Sequence, residues 1–249
     1  MNFTKTSNPV FSADRLREIT GSLIGEGVMT ISGVATKSVL LLLLVILTGS
    51  ITWKLAGTNS GALMPLTIIG GIGAFVLALI TSAKAEKAYI FGPLYALFEG
   101  LLLGAVSAWC EAALPGVVSM AMFSTFAVAG VVFLCYKFGV LKASNTFIKV
   151  ISFATLGIGA YYLVSLIASL FGADFSVFAF GTAGIAVQGV IVIIAALNLV
   201  LDFAAAEEGV TTGAPAQLEW YHAFGLMVTL IWIYFEILRL LILLASKRD

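Results

Sequence analysis

The sequence contains few charged residues. Only 10% of its 249 residues are charged, whereas soluble domains average roughly 25%. Acidic and basic residues are equal at 13 each, so the net charge is zero and does not indicate a nucleic-acid partner. A soluble fold cannot hide a chain that is 61% hydrophobic, because folding leaves a large part of the surface in water. The composition therefore predicts a lipid bilayer as the surrounding solvent.

Cysteine and histidine are also scarce. The two cysteines, Cys110 and Cys135, lie in apolar runs and form no CxxC motif, so we interpret them as small core residues. The single histidine, His222, excludes a metal site built from several histidines. We predict no cofactor.

Catalytic signatures are missing as well. The sequence has no HExxH, no GxGD, no phosphate-binding or dinucleotide fingerprint, and no GxSG motif with a partner histidine. We therefore predict that the protein is not an enzyme. Residues 1–37 lack the apolar h-region and cleavage pattern of a signal peptide, so we expect the first span to be retained.

Long apolar runs are what the sequence has in abundance. A spanning helix needs about 20 mostly apolar residues. Seven segments qualify, at 38–56, 62–83, 88–110, 115–136, 147–171, 178–202 and 218–245. We predict an all-α seven-helix transmembrane domain over residues 38–249, preceded by an arm over residues 1–37.

The distribution of lysine and arginine predicts the orientation. Basic residues concentrate before the first span and in the second and fourth connections, whereas the third and fifth connections have none. Because such residues stay on the cytoplasmic side, we expect a cytoplasmic N-terminus. Seven spans then place the C-terminus outside, although Lys247 and Arg248 stand against that placement.

Ionisable residues inside spans are costly and need a reason. Four acids stand out: Glu99 in span 3, Asp202 at the end of span 6, Glu219 at the start of span 7 and Glu236 deep within it. Span 6 also carries Gln188 and Asn198. At 100° per residue, these two residues and Asp202 all fall within one arc of about 80° on the helix surface. Such a face should point into the bundle, and its oxygen atoms suit a hard cation or a proton relay.

Simpler interpretations stay open for each of these residues. Glu236 and Arg239 are three residues apart on one helix, so neutralising each other could be their whole role. Asp202 could be a helix-end residue at the membrane surface. Glu219 and His222 could belong to an interfacial belt with aromatic neighbours, and Lys84 and Lys87 could be orientation anchors alone.

Several segments, taken together, resemble the bacterial branch of the Bax inhibitor-1 (transmembrane Bax inhibitor motif) family. The C-terminal third carries NLVLDF, EEGV, GAP, EWYHAFGL and YFEILRLL, starting at residues 198, 207, 213, 219 and 234. The middle carries YALFEGLLLG from residue 95, and the start carries SNPV from residue 7 and Met29-Thr with Lys37.

The resemblance implies a fold, a location and a site. The family fold is seven helices with the last one central, and the bacterial location would be the cytoplasmic membrane. Members are linked to a pH-sensitive calcium leak. By position, Asp202 and Glu236 correspond to a carboxylate pair on spans 6 and 7 that senses pH and binds the ion. Lys84 or Lys87 would form an ion pair with these acids and so latch them. From the residues themselves, Arg239 is a further candidate latch, and Glu99, Gln188, Asn198 and Glu219 are predicted to form a secondary polar path.

We therefore predict a pH-sensitive calcium leak channel, in which two carboxylates in a low-dielectric site share one proton. Its partners would be the bilayer and calcium or protons. One alternative, also implied by the resemblance, is a non-transporting regulator of a membrane-bound quality-control protease or of a stress response. Another is a proton-coupled transporter that uses the same acids.

Overall fold

The fold was analysed in a computed structural model that describes residues 27–58, 61, 63–172 and 181–246. Over these residues the chain forms seven long helices and two short 3-10 turns, at Ala85–Lys87 and Ala216–Leu218. The helices are α1 (Ile31–Thr58), α2 (Leu63–Ala83), α3 (Ala88–Ala113), α4 (Val117–Lys137), α5 (Asn145–Leu170), α6 (Gly181–Thr211) and α7 (Glu219–Ala245).

All seven helices are long and apolar enough to cross a membrane, which confirms the predicted all-α seven-helix class. The first helix begins at Ile31 and so takes in the last residues of the predicted arm. The Thr30 hydroxyl caps this helix by accepting a hydrogen bond from Gly33 N at 3.0 Å. The rest of the arm, residues 1–26, and the basic tail residues Lys247 and Arg248 lie outside the described residues.

The last helix is the centre of the bundle. In its apolar membrane-spanning stretch, 56% of the residues are buried inside the protein, compared with 6% in the corresponding stretch of α5. It packs against α1, α3, α4 and α6. Two core clusters meet on it, one with α4 and α6 around Ile233 and one with α1 and α3 around Met227. The predicted central position of the C-terminal helix is therefore confirmed.

Glycines allow α1 and α3 to approach closely. Gly100 and Gly104 of α3 face α1, where Gly104 lies directly against Gly49. A side chain at Gly104 would overlap the carbonyl oxygen of Gly49 and lie 2.8 Å from its Cα atom. Small residues thus determine which faces of these two helices meet, as is usual in lipid.

Helix α5 lies at the edge of the bundle. Most of its large apolar side chains are exposed, only Ile151 and Ile158 are buried among its described residues, and its main neighbour is α6. Ser144 caps its start by accepting a hydrogen bond from Phe147 N at 3.2 Å. Hydrogen bonds also join it to the bundle: Thr155 exchanges them with Asn198 of α6, and Tyr162 contacts Glu236 and Arg239 of α7.

Candidate functional site

A cluster of polar side chains surrounds Glu236 on the central helix. The Glu236 side chain is 2% exposed. Tyr162 Oη lies 2.7 Å from both carboxylate oxygens. Gln188 Nε2 donates to Oε2 at 2.6 Å and to the Glu236 carbonyl oxygen at 2.9 Å. The Glu236 cluster thus joins α5, α6 and α7 at one level of the bundle.

Two further donors come from α7 itself, one turn on either side of Glu236. Trp232 Nε1 donates to Oε1 at 2.9 Å, and Arg239 Nη1 donates to Oε2 at 3.1 Å. Arg239 also donates to Tyr162 Oη at 2.6 Å and lies 4.9 Å from the centre of the Tyr162 ring. The arginine therefore holds both the acid and the tyrosine that contacts it.

These donors occupy the carboxylate of Glu236. A carboxylate has about four lone-pair positions, and four side chains donate to this one: Tyr162, Gln188, Trp232 and Arg239. In this conformation a calcium ion could not bind Glu236 without displacing them. The structure therefore makes Glu236 the partner of an ion pair and a hydrogen-bond network.

Asp202 occupies a different environment. Its Oδ1 atom lies 3.8 Å from where a side chain at Gly225 of α7 would begin, and Thr229 lies beside it. Its Oδ2 atom is buried and has no hydrogen-bond partner among the described residues. A buried carboxylate oxygen without a donor is costly, so this acid retains capacity for a cation or a proton.

The structure does not bring Asp202 and Glu236 together, which corrects the predicted carboxylate pair. Asp202 lies at the level of Gly225 and Thr229 of α7, and Glu236 follows 11 and 7 residues after them on that helix. At 1.5 Å per residue the levels of the two acids are roughly 10–16 Å apart along the axis. Two carboxylates at this separation cannot share one proton or coordinate one calcium ion.

The predicted secondary polar path is divided in the same way. Gln188 donates hydrogen bonds to Glu236, whereas Asn198 exchanges hydrogen bonds with Thr155 of α5 at 2.9 and 3.2 Å. Glu99 is buried on α3, and its side chain contacts Tyr95 one turn earlier. Gln188 and Asn198 therefore join α6 to different helices, the Glu99 contact stays within α3, and these groups do not line one continuous row.

Glu219 ties the start of α7 to the start of α1. Its carboxylate forms an ion pair with Lys37 and accepts hydrogen bonds from the Thr30 backbone N–H at 2.8 Å and the Thr30 hydroxyl at 3.0 Å. Met29 N donates to Ala214 O at 2.8 Å beside it. We call Lys37, Thr30 and Glu219 the α1–α7 clasp. Because the carboxylate meets unsatisfied N–H groups at a helix N-terminus, it stabilises α1.

Replacing Lys37 by methionine is expected to lower the free energy of unfolding by about 1.5–3 kcal/mol, the range for a hydrogen bond to a charged group. Thr30 would still donate to Glu219, which limits the loss. Unfolding in detergent micelles measures the effect. Lys149→Met is the control, since Lys149 is exposed and forms no ion pair among the described residues. Equal stability of the two variants would contradict the clasp.

The three basic residues predicted as latches have different positions. Lys84 and Lys87 flank the turn between α2 and α3, and both are exposed. Within the described part of the chain neither forms an ion pair, so neither holds Asp202 or Glu236. Arg239 does contact Glu236. The basic partner of Glu236 therefore comes from the same helix, α7.

Several residues of these clusters were not predicted. Tyr162 and Lys37 contact acids 74 and 182 residues away in sequence, and a single sequence carries no signal for such contacts. Trp232 could have been found, because it lies four residues before Glu236 and therefore on the same face of one helix.

A family model described as Bax inhibitor 1 like matches residues 8–246, which is nearly the whole chain. No curated protein and no solved structure matches the chain.

Proposed function

The chain belongs to the Bax inhibitor 1 like family, and from that premise we propose that it is a pH-sensitive cation leak of its membrane, with calcium as the permeant ion. Family membership and the seven apolar helices make it an integral, multi-pass membrane protein. The observation that carries the proposal is the Glu236–Arg239 ion pair on the central helix.

The Glu236 cluster supports a gating role because hydrogen bonds from Tyr162 and Gln188 hold α5 and α6 to α7 at one point. While Glu236 is ionised, Arg239, Tyr162 and Gln188 all converge on it. Protonation would remove the charge that attracts Arg239 and would fill one acceptor position. Among the described residues, the charged and titratable groups in contact with Glu236 are Arg239 and Tyr162. We infer that the paired state is closed and that protonation loosens α5 and α6 from α7.

Asp202 supports the second part of the proposal, the attraction of a cation. Its Oδ2 atom has no hydrogen-bond partner among the described residues, and its Oδ1 atom faces Gly225, where the central helix has no side chain to fill the space. A carboxylate oxygen is a preferred ligand of calcium. A site with one carboxylate binds an ion weakly enough to let it leave, which conduction requires. We propose that Asp202 attracts the cation and that Glu236 controls the gate.

The test is calcium flux into liposomes that contain the purified protein and a trapped calcium dye, measured across pH. We expect flux through the parental chain to rise as the pH falls, since protonation of Glu236 opens the gate. Glu236→Gln resembles the protonated acid and should give high flux at every pH. Asp202→Asn should lower the flux while leaving its pH dependence intact.

A matched control is Glu86→Gln, which removes an exposed carboxylate in the turn between α2 and α3. It should leave both the flux and its pH dependence unchanged. If Asp202→Asn and Glu236→Gln behave like this control, the protein is not a leak of the proposed kind. If the parental chain carries no calcium at any pH, the proposal is also wrong.

A further inference from the structure

A large cavity opens between helices at the end of the bundle that carries Lys84, Lys87, Lys137 and Lys142, which we call the lysine-rich end. Its walls come mainly from α1, α4, α6 and the connection between α4 and α5, with Ile148 of α5 and Leu226 of α7, and its volume is about 1090 Å³. Small-molecule sites enclose roughly 300–1,000 Å³. The cavity is therefore large enough for a substantial ligand, and the Glu236 cluster does not contribute to its lining.

The cavity wall changes from apolar to polar along its length. Phe133 and Phe203 pack edge to face in the apolar part, with ring centres 5.6 Å apart. Tyr136 packs on Phe203 at 5.6 Å and donates its hydroxyl hydrogen to Glu207. A tyrosine with an apolar ring contact and a polar hydroxyl contact is typical of the boundary between hydrocarbon and headgroups.

Charges of both signs form the polar part. Lys137 and Lys142 line the cavity together with Glu207 and Glu208, and all four residues are exposed. Within the described ranges the two lysines form no ion pair, either with these glutamates or with other residues. The four charges are therefore available to a ligand that carries both a negative and a positive group.

The segment that carries Lys142 has a defined conformation. Gly139 has a φ of +70°, which allows the chain to turn directly after α4. The backbone N–H groups of Val140 and Leu141 both donate to Cys135 O, at 2.9 and 3.1 Å. The position of Lys142 at the rim is thus determined by backbone hydrogen bonds.

We propose that this cavity binds a phospholipid whose headgroup carries a phosphate and a primary ammonium, as in phosphatidylethanolamine. Its phosphate would meet Lys137 and Lys142, its ammonium would donate to Glu207 and Glu208, and its acyl chains would lie along Phe133 and Phe203. A purely anionic lipid would leave the two carboxylates beside its phosphate without a cation. A choline headgroup has no N–H with which to donate to them. The proposal does not depend on the proposed ion leak.

The test is lipid retention by the full-length protein in detergent, followed by native mass spectrometry. Phosphatidylethanolamine, phosphatidylglycerol and phosphatidylcholine with identical acyl chains are offered in equal amounts. We expect preferential retention of phosphatidylethanolamine. The double variants Lys137→Gln/Lys142→Gln and Glu207→Gln/Glu208→Gln should each weaken this retention at least tenfold. Lys54→Gln/Lys149→Gln removes two lysines that do not line the cavity and should retain it fully.

Melting temperature in detergent shows whether each variant is folded, and all six substitutions are at exposed side chains. A second measurement uses Ile148→Trp, which places a fluorophore in the cavity wall. Brominated phosphatidylethanolamine should quench its added fluorescence more than brominated phosphatidylcholine does. Equal retention of the three lipids would overturn the proposal. So would preference for phosphatidylglycerol, or a loss of retention in the lysine variant alone.

Discussion

Replacing Arg239 by methionine is expected to destabilise the protein by about 3–5 kcal/mol, the usual cost of removing one partner from a buried ion pair. The reason is the charge left behind. Glu236 is 2% exposed, and Arg239 is the only cation that contacts it among the described residues. Tyr162, Gln188 and Trp232 would still donate to the carboxylate, but none of them carries a compensating positive charge. The free energy of unfolding in mixed detergent micelles measures the loss.

A second substitution separates the charge from the packing of the arginine side chain. Arg239→Met with Glu236→Gln should recover most of the stability, because glutamine is neutral and can still accept hydrogen bonds. Glu236→Gln alone should cost less than Arg239→Met, since Arg239 is 31% exposed and its charge can reach polar surroundings. Strict additivity of the two single changes would show that the pair contributes no coupling energy.

The helices could be predicted from the sequence because spanning segments are a local property. Each span is a run of about 20 apolar residues, and all seven helices overlap the predicted segments. The boundary at α1 was harder to predict, because that helix continues back to Ile31, beyond the predicted start of the span at residue 38. Its cap at Thr30 depends on Glu219, which lies 189 residues away in the chain.

The candidate site could be predicted in part. The cost of ionisable groups in lipid identified Glu236, Asp202 and Glu219 as residues that need a partner, and each one lies between helices. The sequence could not show which partner each acid has, because partners depend on how far one helix is shifted along another. The resemblance predicted that Asp202 and Glu236 form a pair. In the structure, α6 packs on α7 so that Gln188 donates to Glu236, and Asp202 lies beside Gly225.

The arc of polar residues on α6 shows the same limit. A helical projection predicted correctly that Gln188 and Asp202 face the interior. It could not show that Asn198, at the edge of the arc, faces α5 and bonds to Thr155. Periodicity gives direction around one helix. The identity of the neighbouring helix in each direction is set by tertiary packing.

Replacing Gly104 by alanine should be among the most destabilising single changes in the apolar core. The new methyl group would overlap the carbonyl oxygen of Gly49 and lie 2.8 Å from its Cα atom. Both obstacles are backbone atoms of α1, so no change of side-chain rotamer relieves them. Overpacking costs about 1–3 kcal/mol where side chains can move, and here two helices must separate. We expect a loss at or above about 3 kcal/mol in the free energy of unfolding.

The control for this prediction is Gly157→Ala on α5, where nothing lies within 4 Å of the new methyl group. Alanine favours a helix over glycine by about 1 kcal/mol, so this variant should be as stable as the parental chain or more stable. The same chemical change then has opposite effects at two mid-helix glycines, one facing α1 and one facing outward. If Gly104→Ala were as stable as Gly157→Ala, α1 and α3 would not approach each other at Gly49, and the packing that positions both helices around α7 would have to be revised.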